Sequence, residues 1–128
     1  MKLNKIGFIG LGLIGGSIAK RLKVLYKDLT IIATAGHLST IEAAYAEGLI
    51  ASNALCDIAA FYDCDYIFLC TPVQKNIEYL RQLKGHISDC CIITDVGSVK
   101  SDIHREVIAL GMEHQFIGGH PMAGSEKT

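Results

Sequence analysis

The sequence lacks a surplus of charge, a metal-binding cysteine spacing and any long apolar run, and each absence closes off a class of function. Twelve lysines and arginines stand against 13 aspartates and glutamates, a net charge of −1. That balance leaves no basic footprint for nucleic acid or for an anionic membrane surface. Tryptophan is absent. The five cysteines, Cys56, Cys64, Cys70, Cys90 and Cys91, are an odd set without C-x-x-C spacing, so neither a structural zinc site nor a disulfide framework is indicated. They read as buried packing residues suited to a reducing cytosol, with Cys90 and Cys91 facing opposite sides of a strand. No stretch approaches the length of a membrane span, and the N-terminus leads into a strand-like segment without a signal-peptide pattern. The expectation is a soluble, cytoplasmic protein that binds no nucleic acid, membrane or metal.

What is present is the material of one well-buried domain. Of 128 residues half are hydrophobic, a fifth are charged and 13 are glycine, a size that sustains a core without covalent support. Short apolar runs alternate with segments of helical period, the pattern of βαβ units around a parallel sheet. Ile6-Gly7-Phe8-Ile9 reads as the first strand, followed by a helix with Ile14, Ile18, Leu22 and Leu25 on one face. A second strand spans Thr30 to Thr34. Ser39 and Glu42 resemble a capping box opening a helix that ends near Gly48. A short strand at Leu49-Ile50 and a small helix from Leu55 to Tyr62 follow, then a buried strand from Tyr66 to Cys70 stopped by Thr71-Pro72. Ile77, Leu80 and Leu83 mark another helix, Cys91 to Thr94 a strand, and Ile103, Val107 and Leu110 a helix closed by Gly111. Phe116-Ile117 begins a last strand. Six strands with crossover helices on both faces predict a doubly wound α/β Rossmann sheet in the order 3-2-1-4-5-6.

Gly10-Leu11-Gly12-Leu13-Ile14-Gly15 matches G-x-G-x-x-G between a strand and a helix. In that setting Gly10 permits the tight turn, Gly12 lets backbone approach a pyrophosphate, and Gly15 lets the helix pack on the sheet. The helix N-terminus, with Leu13, Ile14 and the Ser17 hydroxyl, then offers free N–H groups to the phosphates. The acid expected about 20 residues on, which would bind the adenosine ribose, is absent: Ala35 stands there. An aspartate would repel a 2′-phosphate, whereas Thr34, His37 and Ser39 can donate to one. The reading leans toward NADP over NAD.

Ligands in this fold lie along the carboxyl ends of the strands. Three loops leave that edge in the second half: Thr71-Pro72-Val73, Asp95 to Lys100 with Gly97 and Ser98, and Gly118 to Ser125 with His120. The last two follow strands expected to be neighbours, so Ser98 and His120 can face one cleft beside the nicotinamide. A base near neutral pKa and a hydroxyl that orients it are what alcohol oxidation requires. His86, His104 and His114 fall in helix or turn contexts and read as surface residues.

Together the glycine loop through Ser17, Thr71-Pro72-Val73, Asp95 to Lys100, and Gly119 to Lys127 resemble the prephenate dehydrogenase family. The resemblance implies oxidative decarboxylation of prephenate to 4-hydroxyphenylpyruvate in tyrosine biosynthesis. By the same resemblance His120 accepts a hydrogen bond from the ring hydroxyl and assists hydride transfer, Ser98 binds that histidine and the substrate, and Glu126 tunes the site's polarity. It also implies a C-terminal helical domain, absent from this chain, that forms a homodimer and supplies arginine for the substrate carboxylates. Lys100 and Lys127 are the cations expected near the cleft here, so the chain alone is expected to turn over prephenate poorly. Alternatives are arogenate dehydrogenase, a related β-hydroxyacid dehydrogenase or imine reductase, and a non-catalytic dinucleotide sensor.

Overall fold

The computed structural model describes residues 3–52, 54–96 and 100–118. The strands β1 (Lys5–Ile9), β2 (Thr30–Thr34), β3 (Tyr66–Leu69), β4 (Ile92–Asp95) and β5 (Phe116–Gly118) form a parallel sheet in the order β2-β1-β3-β4-β5. The helices α1 (Leu13–Leu25), α2 (Leu38–Ala46), α3 (Val73–Leu83) and α4 (Lys100–Ala109) connect them. After β2 the chain crosses back past β1 to build β3. The direction of winding therefore reverses between β1 and β3, which is where this class of sheet opens a crevice at its carboxyl edge.

Parallel strands are buried on both faces and so carry apolar residues at successive positions. In β1, Ile6 and Phe8 join a core with Ile31, Ala33, Ala19, Ile41 and Ala44, beneath α1 and α2. On the opposite face Ile9 packs with Ile67, Leu69 and Ile93 beneath α3 and α4, whose Ile77, Leu80, Leu83, Ile103 and Val107 complete that layer. Phe8 and Phe68 stack with centroids 5.0 Å apart. Gly7 leaves room for a 3-10 turn at Ile58–Phe61 to press its phenyl ring against β1, since a Cβ there would stand 2.4 Å from the Phe61 ring.

The doubly wound order matches expectation, with five local differences. Cys90, expected buried on a strand beside Cys91, is exposed in the turn before β4, and neither cysteine belongs to that strand. Leu49-Ile50 lies buried beside β2 but contributes no strand: among the described residues the N–H of Ala51 donates to the Ile31 carbonyl at 2.9 Å, a single bond to β2 rather than a ladder. The predicted sixth strand is thus that edge contact. The helix expected from Leu55 to Tyr62 contracts to the 3-10 turn. On α1, Gly15 and Ala19 are the buried residues, with Ile18 and Leu22 packed against the same core. Ile14 and Leu25 are each 58% exposed: small side chains let the helix approach the sheet, and the wider residues are turned aside. Finally, α2 begins at Leu38 with His37 at its cap and no side-chain capping bond, so Ser39 and Glu42 form no capping box. Among the described residues no helix is long and apolar enough to cross a membrane.

Candidate functional site

Three backbone hydrogen bonds align the carboxyl ends of the central strands. The N–H of Gly10 donates to Thr34 O at 2.8 Å, that of Cys70 to Ile9 O at 2.8 Å, and that of Val96 to Leu69 O at 3.1 Å. The chain turns into α1 at Gly10, whose φ of 97° lies in the left-handed region that favours glycine. A Cβ at Gly10 would also stand 2.9 Å from Thr71 Cγ2, and one at Gly15 would stand 2.7 Å from Gly10 O. Both glycines are therefore demanded by packing. Gly12 differs, because a Cβ there would meet nothing within 4 Å. The motif's middle glycine faces open space.

That space is a groove of about 440 Å³ lined by Gly12, Leu13, Ile14, Gly15, Cys70, Thr71, Pro72 and Val96. It sits at the reversal point between β1 and β3. Gly12 caps α1 without a side-chain bond, the first turn carries no acid, and the earliest helical bond runs from Gly16 N–H to Gly12 O. The N–H groups before Gly16 have no partner within the helix and give its end a partial positive charge. Leu13 is 92% exposed beside them. A second groove of about 420 Å³ lies between α1 and α2, sharing Gly12 and Leu13 with the first. Ser17 lines that second groove, so it does not join the first with Leu13 and Ile14.

The Thr71-Pro72 wall is held by a residue that the sequence reading passed over. Asn76 on α3 is completely buried. Its Oδ1 accepts from the Thr71 N–H at 3.0 Å and from the Thr71 hydroxyl, while its Nδ2 donates to Leu69 O at 3.4 Å. The signal was available: Asn76 lies on the helical stripe with Leu80 and Leu83, and a polar residue on a buried stripe needs partners. Cys70 and Val96 line the groove and were likewise not singled out.

At the end of β2, Thr34 is buried, with its carbonyl engaged by Gly10, and Ala35 is half-buried against the α1–α2 core. Gly36, His37, Leu38 and Ser39 are exposed. The first turn of α2 carries no acid, and the imidazole of His37 makes no capping bond.

Gly97, Ser98, His120 and Glu126 lie outside the described residues. The strands leading to them are adjacent, with Asp95 of β4 opposite Gly118 of β5. Asp95 is buried, and its carboxylate adds to burial in pushing the Cys70 thiol up to about 12. Burial does the same to Cys64 and Cys91, each also pushed up to about 12. Such thiols hold their protons at neutral pH, which argues against nucleophilic roles. Among the described residues no group of three or more histidine, cysteine or acidic side chains is placed to hold a metal ion.

The whole outline has counterparts. The family model described as "Prephenate dehydrogenase, nucleotide-binding domain" matches residues 18–128. A prephenate dehydrogenase of Lactococcus lactis is 36% identical over 129 residues, covering 98% of this chain and 36% of its own length. Among solved structures, prephenate dehydrogenase from A. aeolicus, in complex with hydroxyphenyl propionate and NAD+, superimposes with a TM-score of 0.84 at 29% identity, covering 98% of this chain and 44% of that one. Arogenate dehydrogenase from Synechocystis gives a TM-score of 0.76 at 38% identity, covering 91% and 40%. The chain thus spans little more than a third of the curated relative's length. With the family model matching most of its residues, the chain belongs to the prephenate dehydrogenase nucleotide-binding domain family.

Proposed function

We propose that the chain is the coenzyme-binding part of a cytoplasmic, nicotinamide-dependent dehydrogenase that converts prephenate to 4-hydroxyphenylpyruvate in tyrosine biosynthesis. The observation that carries this reading is the unfilled space over Gly12 at the free end of α1. Its two neighbouring glycines are explained by packing; the middle one is explained by a ligand whose phosphates approach the backbone there. Leu13 and Ile14, exposed beside it, gain cover from the same ligand. Bound in this groove, the nicotinamide supplies a hydride acceptor.

The protein's own part in the reaction falls to the loops after β4 and β5. His120 accepts the hydrogen bond of the ring hydroxyl and takes up its proton as hydride departs from the same carbon. Ser98 orients His120 and the substrate, Gly97 lets the loop lie close to the coenzyme, and Glu126 sets the polarity around them. Loss of carbon dioxide then aromatises the ring as a phenolate, which takes its proton back from His120. Support for this placement comes from the adjacent ends of β4 and β5. Binding of both substrate carboxylates, and a homodimer, are assigned to the full-length protein. In that protein His120→Asn should lower turnover of prephenate by about 10²- to 10⁴-fold with coenzyme affinity unchanged; unaltered turnover contradicts the assignment.

The preferred coenzyme is read as NADP. No carboxylate occupies positions 34–39, and exposed His37 and Ser39 stand at the acid-free first turn of α2, where a 2′-phosphate is favoured. A second substrate reading, arogenate, is favoured by the 38% identity to the Synechocystis enzyme. Comparing the full-length protein's rates on the two substrates separates them.

A further inference from the structure

We propose that Asn76 is a positioning residue that turns the Thr71 hydroxyl into an obligate hydrogen-bond acceptor for the nicotinamide-riboside half of the bound dinucleotide. The inference rests on the dinucleotide reading and adds to it a means of setting the ligand's register along the groove.

The orientation of the Asn76 amide follows from its neighbours. A backbone N–H can only donate and a backbone carbonyl can only accept, so Oδ1 faces Thr71 N–H and Nδ2 faces Leu69 O. The Thr71 hydroxyl lies against that same Oδ1, which cannot donate. Its hydrogen is therefore committed to Asn76, and its remaining lone-pair capacity can only accept. Thr71 is also fixed from the other side, its methyl group filling the place a Cβ on Gly10 would need. A rigid acceptor thus lines the groove, tied both to α3 and to the glycine turn.

The dinucleotide has two ends, and the position of Thr71 selects one. The adenosine end belongs at β2, while Thr71 follows β3, on the other side of β1. The groups that can meet Thr71 are a ribose hydroxyl or the carboxamide NH₂, both donors. A phosphate oxygen is an acceptor and is repelled. The committed hydroxyl therefore holds the nicotinamide riboside at this wall and keeps the pyrophosphate back at Gly12.

The test uses the full-length protein and calorimetric titration with NADH and NADPH, carrying forward whichever binds more tightly. Its adenosine diphosphate fragment, with no nicotinamide riboside, is titrated in parallel. Thr71→Val should weaken the dinucleotide about five- to tenfold, the worth of one neutral hydrogen bond. It should leave the fragment within about twofold, and Thr71→Ser should restore dinucleotide affinity. Asn76→Ala should match Thr71→Val, and the double variant should lose no more than either alone. Should Asn76→Ala fail to fold, the two Thr71 variants decide. Equal weakening of fragment and dinucleotide, additive losses, or full affinity in Thr71→Val would overturn the proposal while leaving the coenzyme reading intact. Failure of the unsubstituted protein to bind either dinucleotide would overturn both.

Discussion

Two positions at the coenzyme edge discriminate between packing and ligand binding one residue at a time. Gly12 has no neighbour within 4 Å of a built Cβ, so Gly12→Ala should leave the urea unfolding midpoint where it was. Dinucleotide affinity should nevertheless fall at least about tenfold, because the added methyl occupies the path of the phosphates. A variant that bound normally would show that the open space is incidental. Ala35, where the ribose-binding acid is missing, gives the complementary test. Ala35→Asp should weaken NADPH about tenfold or more through charge repulsion with the 2′-phosphate, while NADH affinity holds or rises. Equal effects on both coenzymes would place the 2′-phosphate elsewhere.

Elements, rather than single residues, decide how closely α1 can sit over the crevice. Gly15→Ala should cost about 1–3 kcal/mol, since its Cβ would stand 2.7 Å from a backbone oxygen and 3.3 Å from Cys70 Sγ; urea denaturation reads that loss directly. The strands and helices were legible in the sequence because a buried parallel sheet writes itself as short apolar runs, and because Ile77, Leu80, Leu83, Ile103 and Val107 repeat at helical spacing. The contact face of α1 was legible only in part: Ile18 and Leu22 do pack against the core, but the closest approach is built from Gly15 and Ala19, and counting large apolar residues adds the exposed Ile14 and Leu25. Leu49-Ile50 reads as a strand from composition alone, yet among the described residues one backbone bond, from Ala51 to Ile31, ties this segment to β2. The glycine loop was legible in its turn at Gly10 and its close packing at Gly15. The burial of Asn76 was readable from the stripe it shares with Leu80 and Leu83, but its partners were not, since they are the backbone and hydroxyl of a loop five residues earlier and only the fold brings Leu69 O within reach.

Taken as a whole, the domain balances two apolar layers across one sheet, with the thiols of Cys64 and Cys91 buried and that of Cys70 partly buried against them. Cys64, Cys70 and Cys91 are each pushed up to about 12 from an ordinary 9.0, chiefly by burial. Below pH 9 both folded and unfolded chains keep these protons, and stability is insensitive to them. Above it the unfolded chain loses protons that the folded one retains, so stability falls as pH rises toward 12. Urea midpoints should therefore drop between pH 8 and pH 10, and less steeply when Cys64 and Cys91 are both replaced by alanine. An identical slope in that variant would assign the loss to other groups.

Every role proposed for this domain requires the groove between β1 and β3 to be a coenzyme site. Calorimetric titration of NADH and NADPH into the unsubstituted chain addresses that most directly. One dinucleotide per chain should bind, with NADPH the tighter. Absence of heat and of competition for both coenzymes would contradict it, whatever the family resemblance.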